Sequence, residues 1–498
     1  MKATVERCEL AAGFSISRVL TGLWQIADME RDGRELDLGT AAAAMEAYVD
    51  AGFTTFDMAD HYGSAEEIAG LFLRQHDAGA AVQTLTKWVP TPGPVTREDV
   101  RAAVQRSLDR MQTDRLDLLQ FHTWNYVDPS WLDCLFWLQE LKEEGLIRHL
   151  GLTNFDTAHL RIVLHSGIDI VSNQVCFSLL DQRPQDGMTR LCLQHGIKLL
   201  AYGTVAGGFL TDRWLGKPEP DWENLDTWSQ MKYGRFIDVA GGWDAFQGLL
   251  RTLDGVARRY GVSMANIASR YILEKPVVGG VIIGARLGKS EHIRDNLRLF
   301  QFSLDETSRS EIANALAKLR PIPGDSGDEY RKAPFLTASG DLSHHLESIS
   351  PPYAAQAGPD GQNRVLSGTP WEEIGGFSRA VRHGERILVS GTTATHRDRA
   401  IGGTDAAAQL YFVIDKIEGA IQSLGGRLED VIRTRVYVRN MQDWEAVARA
   451  HGTRFRDILP ANTLVQAQLV GDEYLVEMEA EAVVTESQAA VRAREPKE

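Results

Sequence analysis

The sequence predicts a (β/α)8 barrel followed by a smaller α+β domain. Three observations lead there. The chain has 498 residues, enough for one barrel-sized domain of about 250 residues or more and a second domain. Between residues 18 and 285, eight short apolar runs alternate with amphipathic stretches. Short continuous apolar runs separated by helical patterns argue for parallel strands covered by helices. Residues 321–362 are rich in Pro, Gly, Ser and Asp, and a different pattern begins after them.

The eight runs are RVLTGLW (18–24), TTFDMA (54–59), VQTLTKW (82–88), LDLLQFH (116–122), IRHLGLTN (147–154), IVSNQVCF (170–177), KLLAYG (198–203) and GGVIIGA (279–285). Helix punctuation falls between them. Thr96–Asp99 has the form of a capping box before VRAAVQRSLDRM, and Asp128-Pro129 places a capping Asp before a Pro at the first helical position. The long stretch at about 204–240 is too long for a simple connection and is expected to fold over the barrel mouth. In the second domain GERILVSGTTAT (384–395) reads as hairpin strands, and 404–426 as an amphipathic helix with a Gly stop. VIRTRVYVRN (431–440) alternates with period two, 444–459 is a second helix, and 462–484 holds closing strands. No internal repeat relates the halves. The expected domains are a barrel over 1–320, a linker or wrapping segment over 321–362, an α+β domain over 363–486 and a tail over 487–498.

Hydrophobic residues make up 43% and charged residues 24%, ordinary for a folded chain. The net charge is −15, from 68 acidic and 53 basic residues. Such a balance is not built to coat nucleic acid or an anionic membrane. Cys8, Cys134, Cys176 and Cys192 are scattered, which argues against a disulfide framework or a zinc ribbon. No apolar run approaches the length that spans a bilayer, and MKATVERCEL has no signal core. The expectation is a reduced, cytoplasmic enzyme with no metal, acting on a small molecule.

In a parallel barrel, chemistry sits at the C-terminal ends of strands. Asp57 lies near the end of the second run and Tyr62 follows it; Lys87 ends the third and His122 the fourth. Each alone has a purely structural explanation, such as a turn cap, a solvated charge or a satisfied core histidine. Together they are coherent. A phenol titrates near about 10, and a nearby ammonium stabilises the phenolate. A carboxylate at Asp57 would keep Lys87 charged and aimed. His122 could donate to the oxygen of a carbonyl being reduced.

The segment GFTTFDMADHYG (52–63), with Lys87 in LTKW and His122 in LQFH, closely resembles the aldo-keto reductase family from about residue 10 to 320. The resemblance implies hydride transfer from NADPH to an aldehyde or ketone. It makes Asp57, Tyr62, Lys87 and His122 the catalytic tetrad, with Tyr62 as general acid. It also implies cofactor contacts at Trp24, Asp57, Thr153, Asn154, Gln174, Tyr202, Gly203, Thr204, Gly284, Arg286, Lys289 and Asn296. Thr153-Asn154 stands at the family's Ser-Asn pair, and Tyr202 at the aromatic that stacks on the nicotinamide. Arg286 and Lys289 precede a helix expected to begin near Ser290, a setting that suits a 2′-phosphate and favours NADPH over NADH. The family's usual Arg before the Asn is His292 here. Trp24, Trp88, Trp124 and Tyr126, placed near the mouth, hint at a bulky or aromatic substrate.

GERILVSGTTAT, DAAAQ, EDVIRTRVYV, LPAN and LVEMEAEAVV together resemble the Rid (reactive intermediate deaminase) family over about 363–486. That likeness implies trimers with ligand sites between subunits, and in many members hydrolysis of enamines or imines. The parts do not all carry over. Asn462 stands where the deaminase subgroup has a carboxylate-binding Arg, and Phe377 where it has a Tyr. Asn cannot supply the charged bidentate fork of Arg. Glu477 matches a Glu that orients water or, equally, closes a strand. Arg379 and Arg435 could bring a cation from another direction, but read first as surface or interface charges.

The resulting expectation is an NADPH-dependent carbonyl reductase fused to a Rid-like domain that processes a reactive intermediate or drives trimerisation. The alternative is a nucleotide-sensing regulator whose barrel binds NADPH without significant turnover. The intact tetrad argues against it.

Overall fold

A computed structural model describes residues 4–75, 82–332 and 342–485. The hairpin β1 (Arg7–Ala11) and β2 (Phe14–Ser17) comes first. Eight parallel strands then close a barrel: β3 (Val19–Gly22), β4 (Thr55–Asp57), β5 (Gln83–Trp88), β6 (Leu116–Phe121), β7 (Ile147–Thr153), β8 (Ile170–Cys176), β9 (Lys198–Tyr202) and β10 (Val278–Gly284), with β10 pairing back onto β3. Each falls on one of the eight apolar runs. The hairpin had no sequence signal. Its Leu10, Phe14 and Ile16 pack with inward-facing Leu20, Leu85, Leu118, Val171 and Leu200, so it plugs the N-terminal end of the barrel.

The helix ends follow local chemistry. Thr96 and Asp99 form the expected capping box at helix Arg97–Met111. At the next helix, Ser130–Glu143, the cap position is Pro129 rather than Asp128, although Asp128 Oδ1 still accepts from Ser130 N at 3.0 Å. The insertion after β9 does reach over the mouth, through helix Trp228–Val239.

The second domain is a seven-stranded sheet in the order β11 (Ala355–Ala357), β12 (Asn363–Val365), β13 (Ala380–His383), β14 (Arg386–Thr393), β19 (Val476–Val483), β17 (Val431–Val438), β18 (Ala461–Gln466). β15 (Thr395–His396) and β16 (Arg399–Ala400) form a separate small ribbon. The sheet therefore begins at β11, inside the stretch that composition marks as a linker. Helices Ala406–Ser423 and Trp444–Phe455 supply its core side. On the other face Leu388 pairs with Glu481, Arg435 with Glu479, and Tyr437 with Glu477 and Val465. Leu388 and Val465 are exposed there.

The two domains meet through helix Thr157–His165 of the barrel and helix Ala406–Ser423. Arg161 grips Asp405 with two hydrogen bonds of 2.8 and 2.6 Å. Asp133 takes His396 Nε2 at 2.9 Å and Arg397 Nη2 at 3.0 Å. Residues 324–332, which follow the last barrel helix (Glu306–Leu316), cross the C-terminal end of the barrel. Arg331 donates to the carbonyls of Asn154 (2.8 Å) and Thr123 (2.6 Å). Gly327 makes that approach possible. Its φ is +83°, and a Cβ there would stand 2.1 Å from the Asn154 carbonyl oxygen. The expected tail at 487–498 lies outside the described residues, as does most of YRKAPFLTASGDL.

Candidate active site

A cleft of about 1010 Å³, its open mouth included, occupies the C-terminal end of the barrel. Asp57, Tyr62, Lys87 and His122 all line it. Their strands are neighbours, β4, β5 and β6, so residues far apart in sequence end at one rim. Asp57 and Lys87 are each 3% exposed and His122 is 2% exposed. Lys87 Nζ donates to Asp57 Oδ2 at 2.7 Å and to the Met58 carbonyl at 2.7 Å. It stands 4.9 Å from the centre of the Tyr62 ring. Burial pushes the Lys87 ammonium below its ordinary pKa, and Asp57 pulls against that shift. The other oxygen of Asp57 accepts from Gln174 Nε2 (2.7 Å) and Gln120 Nε2 (3.1 Å). A buried carboxylate must be satisfied in this way to remain charged.

His122 differs. Both of its ring nitrogens are buried and make no hydrogen bond of ordinary geometry with described residues. Burial first, then the charge of Arg331, hold its pKa well below the usual imidazole value. A neutral ring without a hydrogen bond of ordinary geometry, sharing its cleft with an ammonium and a phenol, is suited to a polar ligand atom.

Seven of the expected cofactor residues besides Asp57 line the same cleft: Trp24, Thr153, Asn154, Gln174, Tyr202, Gly203 and Gly284. Asn154 adopts φ 59° and its side-chain oxygen accepts from Tyr202 Oη at 2.7 Å. Gly203 has φ +76°, and a Cβ on it would strike Tyr233 Oη at 2.3 Å. The remaining four lie elsewhere. Thr204 is fully buried against Ser269 Oγ at 3.0 Å. Arg286 pairs with Asp28 at 3.2 Å, outside the lining, and Lys289 is exposed nearby. The helix expected near Ser290 starts at Ile293, because an Arg286–Ser290 bridge shapes the preceding turn. Asn296 is buried on that helix.

Of the four aromatics expected at the mouth, Trp24 and Trp124 line the cleft. Trp88 packs on Phe121 at 5.5 Å and Tyr126 stacks on His159 at 3.4 Å, so both are core. Residues that sequence reasoning did not single out complete the wall: Lys232, Tyr233 and Trp228 from the insertion, and Tyr330 from the segment after the barrel. Lys232 Nζ donates to Tyr330 Oη at 2.6 Å. Glu329, fully buried beside it, binds Arg183 Nη2 at 2.6 Å and accepts from Tyr202 Oη at 3.1 Å.

In the second domain the expected residues do not form one open pocket. Arg379 is 4% exposed, not a surface charge. It donates to the Gly391 carbonyl and Thr392 Oγ1, each at 2.8 Å, and faces Glu372 at 3.4 Å. Phe377 lies 5.7 Å from its guanidinium. Lys416, also buried, donates to the Thr395 carbonyl at 2.6 Å, and burial lowers its pKa to about 7. Glu477 is half-buried, and burial raises its pKa. Asn462 is exposed on β18 and donates to Thr434 Oγ1 at 2.9 Å. Arg435 pairs with Glu479 at 2.7 Å on the open sheet face.

A parallel barrel with an acid–base cluster at its strand ends, opposite glycines and amides along one wall, defines a carbonyl-handling oxidoreductase of the barrel class. Residues 18–317 match the aldo/keto reductase family, and the chain belongs to that family, whose members use nicotinamide cofactors. Residues 369–484 match the Endoribonuclease L-PSP family, the Rid group, so the chain is a fusion of the two. An uncharacterised oxidoreductase, YqkF of Bacillus subtilis, is 28% identical over 275 residues, 53% of this chain and 84% of its own length. The NADH-specific methylglyoxal reductase of Escherichia coli is 28% identical over 230 residues, 44% of this chain and 66% of its own. For the second domain, the uncharacterised protein SCO2049 of Streptomyces coelicolor is 42% identical over 120 residues, 24% of this chain and 90% of its own. Among the described residues no helix is long and apolar enough to cross a membrane.

Proposed function

We propose that the barrel reduces an aldehyde or ketone to an alcohol with NADPH, and that Tyr62 is the proton donor. The observation that carries this reading is the buried Lys87 ammonium, held by Asp57 at 2.7 Å and set 4.9 Å from the Tyr62 ring. Neutral His122 binds the carbonyl oxygen through an N–H and orients it. Tyr62 passes its proton to that oxygen as charge develops on it, and Lys87 stabilises the phenolate left behind. The nicotinamide supplies the hydride when bound. Thr153, Asn154, Gln174 and Tyr202 would hold its ring, and these residues fit because they share the cleft with the unsatisfied His122. Arg286 and Lys289 would take the 2′-phosphate, which favours NADPH. The Escherichia coli relative named above is NADH-specific, so the preference rests on these two cations.

For the Rid-like domain we propose a role other than standard 2-iminoacid hydrolysis: it joins chains into a trimer through its open sheet face. Exposed Leu388 and Val465 on that face support this. Asn462 and Phe377 lack the groups that would hold a substrate carboxylate, and Arg379 is already committed to Gly391, Thr392 and Glu372.

The test is a panel of aldehydes and ketones, with NADPH and NADH oxidation followed by absorbance and ammonia release measured in parallel. Carbonyl-dependent oxidation of NADPH is expected. Tight cofactor binding without turnover on any carbonyl would leave the nucleotide-sensing reading instead.

A further inference from the structure

The cleft contains a second ammonium–phenol pair besides Lys87 and Tyr62. Lys232 is 5% exposed, yet it lines the cleft. Its Nζ donates to Tyr330 Oη at 2.6 Å and stands 4.8 Å from the centre of the Tyr202 ring. The Tyr330 ring lies 5.5 Å from the ring of His122. Hydroxyls of Tyr330 and Tyr202 are 3.2 Å apart. Two chain segments far apart in sequence therefore bring a cation and a phenol to the wall adjoining the unsatisfied imidazole.

We propose that Lys232 and Tyr330 bind a carboxylate on the substrate, which selects carbonyl compounds with an acid group next to the reacting carbonyl, the class of 2-oxo acids. The inference rests on carbonyl reduction as the activity of the cleft. The 5.5 Å between the His122 and Tyr330 rings leaves Tyr330 within reach of a substituent next to a carbonyl held at His122. Little solvent screens a charge buried here, so an anionic oxygen is attracted to the Lys232 ammonium more strongly than in water, in competition with the buried Glu329 carboxylate whose charge already couples to Lys232. A charge-assisted hydrogen bond from Lys232 and an O–H from Tyr330 would hold the two carboxylate oxygens. A neutral substituent gains neither. Trp24, Trp124 and Trp228 line the remainder of the cleft and suit an apolar body on the same molecule.

The test has a binding arm and a turnover arm, both on the full chain. Benzoate and benzamide are titrated against tryptophan fluorescence, which needs no chemistry. Phenylglyoxylate and its methyl ester are compared as substrates. Benzoate is expected to bind at least about tenfold more tightly than benzamide, and the acid to be reduced with a kcat/KM at least about tenfold above the ester. Lys232→Met should abolish both preferences, read as the benzoate-to-benzamide and acid-to-ester ratios within the variant, so that a general loss of activity cancels. Lys232→Arg should retain them, and Tyr330→Phe should narrow them. Equal binding of benzoate and benzamide, or a preference that survives Lys232→Met, overturns the proposal. A benzoate preference in a protein that reduces no carbonyl would instead overturn the reductase reading and leave the carboxylate site standing.

Discussion

His159 of the barrel places Nε2 2.9 Å from Asp415 Oδ2 of the second domain, while its Nδ1 lies 2.7 Å from Asp156 Oδ1. With a carboxylate at each nitrogen, both ring nitrogens are placed to donate, an arrangement that favours the imidazolium. Burial opposes that charge, but Asp156 and Asp415 outweigh it and raise the pKa. The ring stacks on Tyr126 at 3.4 Å, with 5° between the planes. Tyr126 in turn lies 4.4 Å from the Arg331 guanidinium, which holds the segment over the cleft.

The joint between the domains should therefore depend on pH. His159 has a folded pKa above its unfolded value of about 6.5. Its contribution is fully present below that unfolded value and is lost as pH rises through the folded one. His159→Gln is expected to lower thermal stability by about 1.5–3 kcal/mol at pH 6, the scale of hydrogen bonds to charged groups. The difference from the native chain should shrink at alkaline pH. Calorimetry at pH 6 and 9 checks this; a constant difference would mean that the ring is not charged in the fold.

Tyr62→Phe keeps the ring but removes the hydroxyl. Carbonyl reduction should fall by at least about a hundredfold, the lower end of general-acid contributions. Cofactor affinity, measured by fluorescence, should barely change. Near-normal turnover would remove Tyr62 from the chemistry.

Arg286→Ala should weaken NADPH by about 1.5–3 kcal/mol and NADH much less. In the structure Arg286 also pairs with Asp28, so a purely structural role predicts equal weakening of both. Titrating the two cofactors in parallel separates these outcomes.

Gly327→Ala should displace the segment over the cleft. The new Cβ would stand 2.1 Å from the Asn154 carbonyl oxygen, at a φ of +83°. The backbone conformation alone costs about 1–2 kcal/mol for a residue with a Cβ. A lower melting temperature and a raised KM are expected together, since Tyr330 sits three residues on. Unchanged kinetics would show that the segment does not shape the cleft.

If the open sheet face joins three chains, the protein should run at about 165 kDa, three times 55.2 kDa. Light scattering behind a sizing column measures it. Replacing Leu388 and Val465 by Lys should then yield single chains. A native monomer would remove the case for sites between subunits.

The barrel was legible because buried parallel strands are written as continuous apolar runs, and all eight fall where those runs fall. Asp57, Tyr62, Lys87 and His122 were legible because strand ends could be placed from the same pattern. Lys232 was not. In WSQMKYGRF nothing local separates Lys232, which is buried, from Arg235, which is exposed. Glu329 and Tyr330 were hidden in a polar stretch that resembles a solvated linker. Their burial is decided by Arg183, which lies 146 positions away from Glu329 in sequence. Arg379 read as a surface charge because its countercharge, Glu372, is brought to it only by the fold.

Residues 324–332 sit at the seam of the fusion, yet Tyr330 is part of the cleft wall and Arg331 braces it. The two ancestral modules thus cannot be exchanged as independent cassettes. A barrel cut at its last helix would lose one side of its own pocket, and a different partner domain would have to be grafted beyond Lys332 to preserve it. At Tyr330 and Arg331 one short segment supplies both a wall of the pocket and the brace that holds that wall to the barrel.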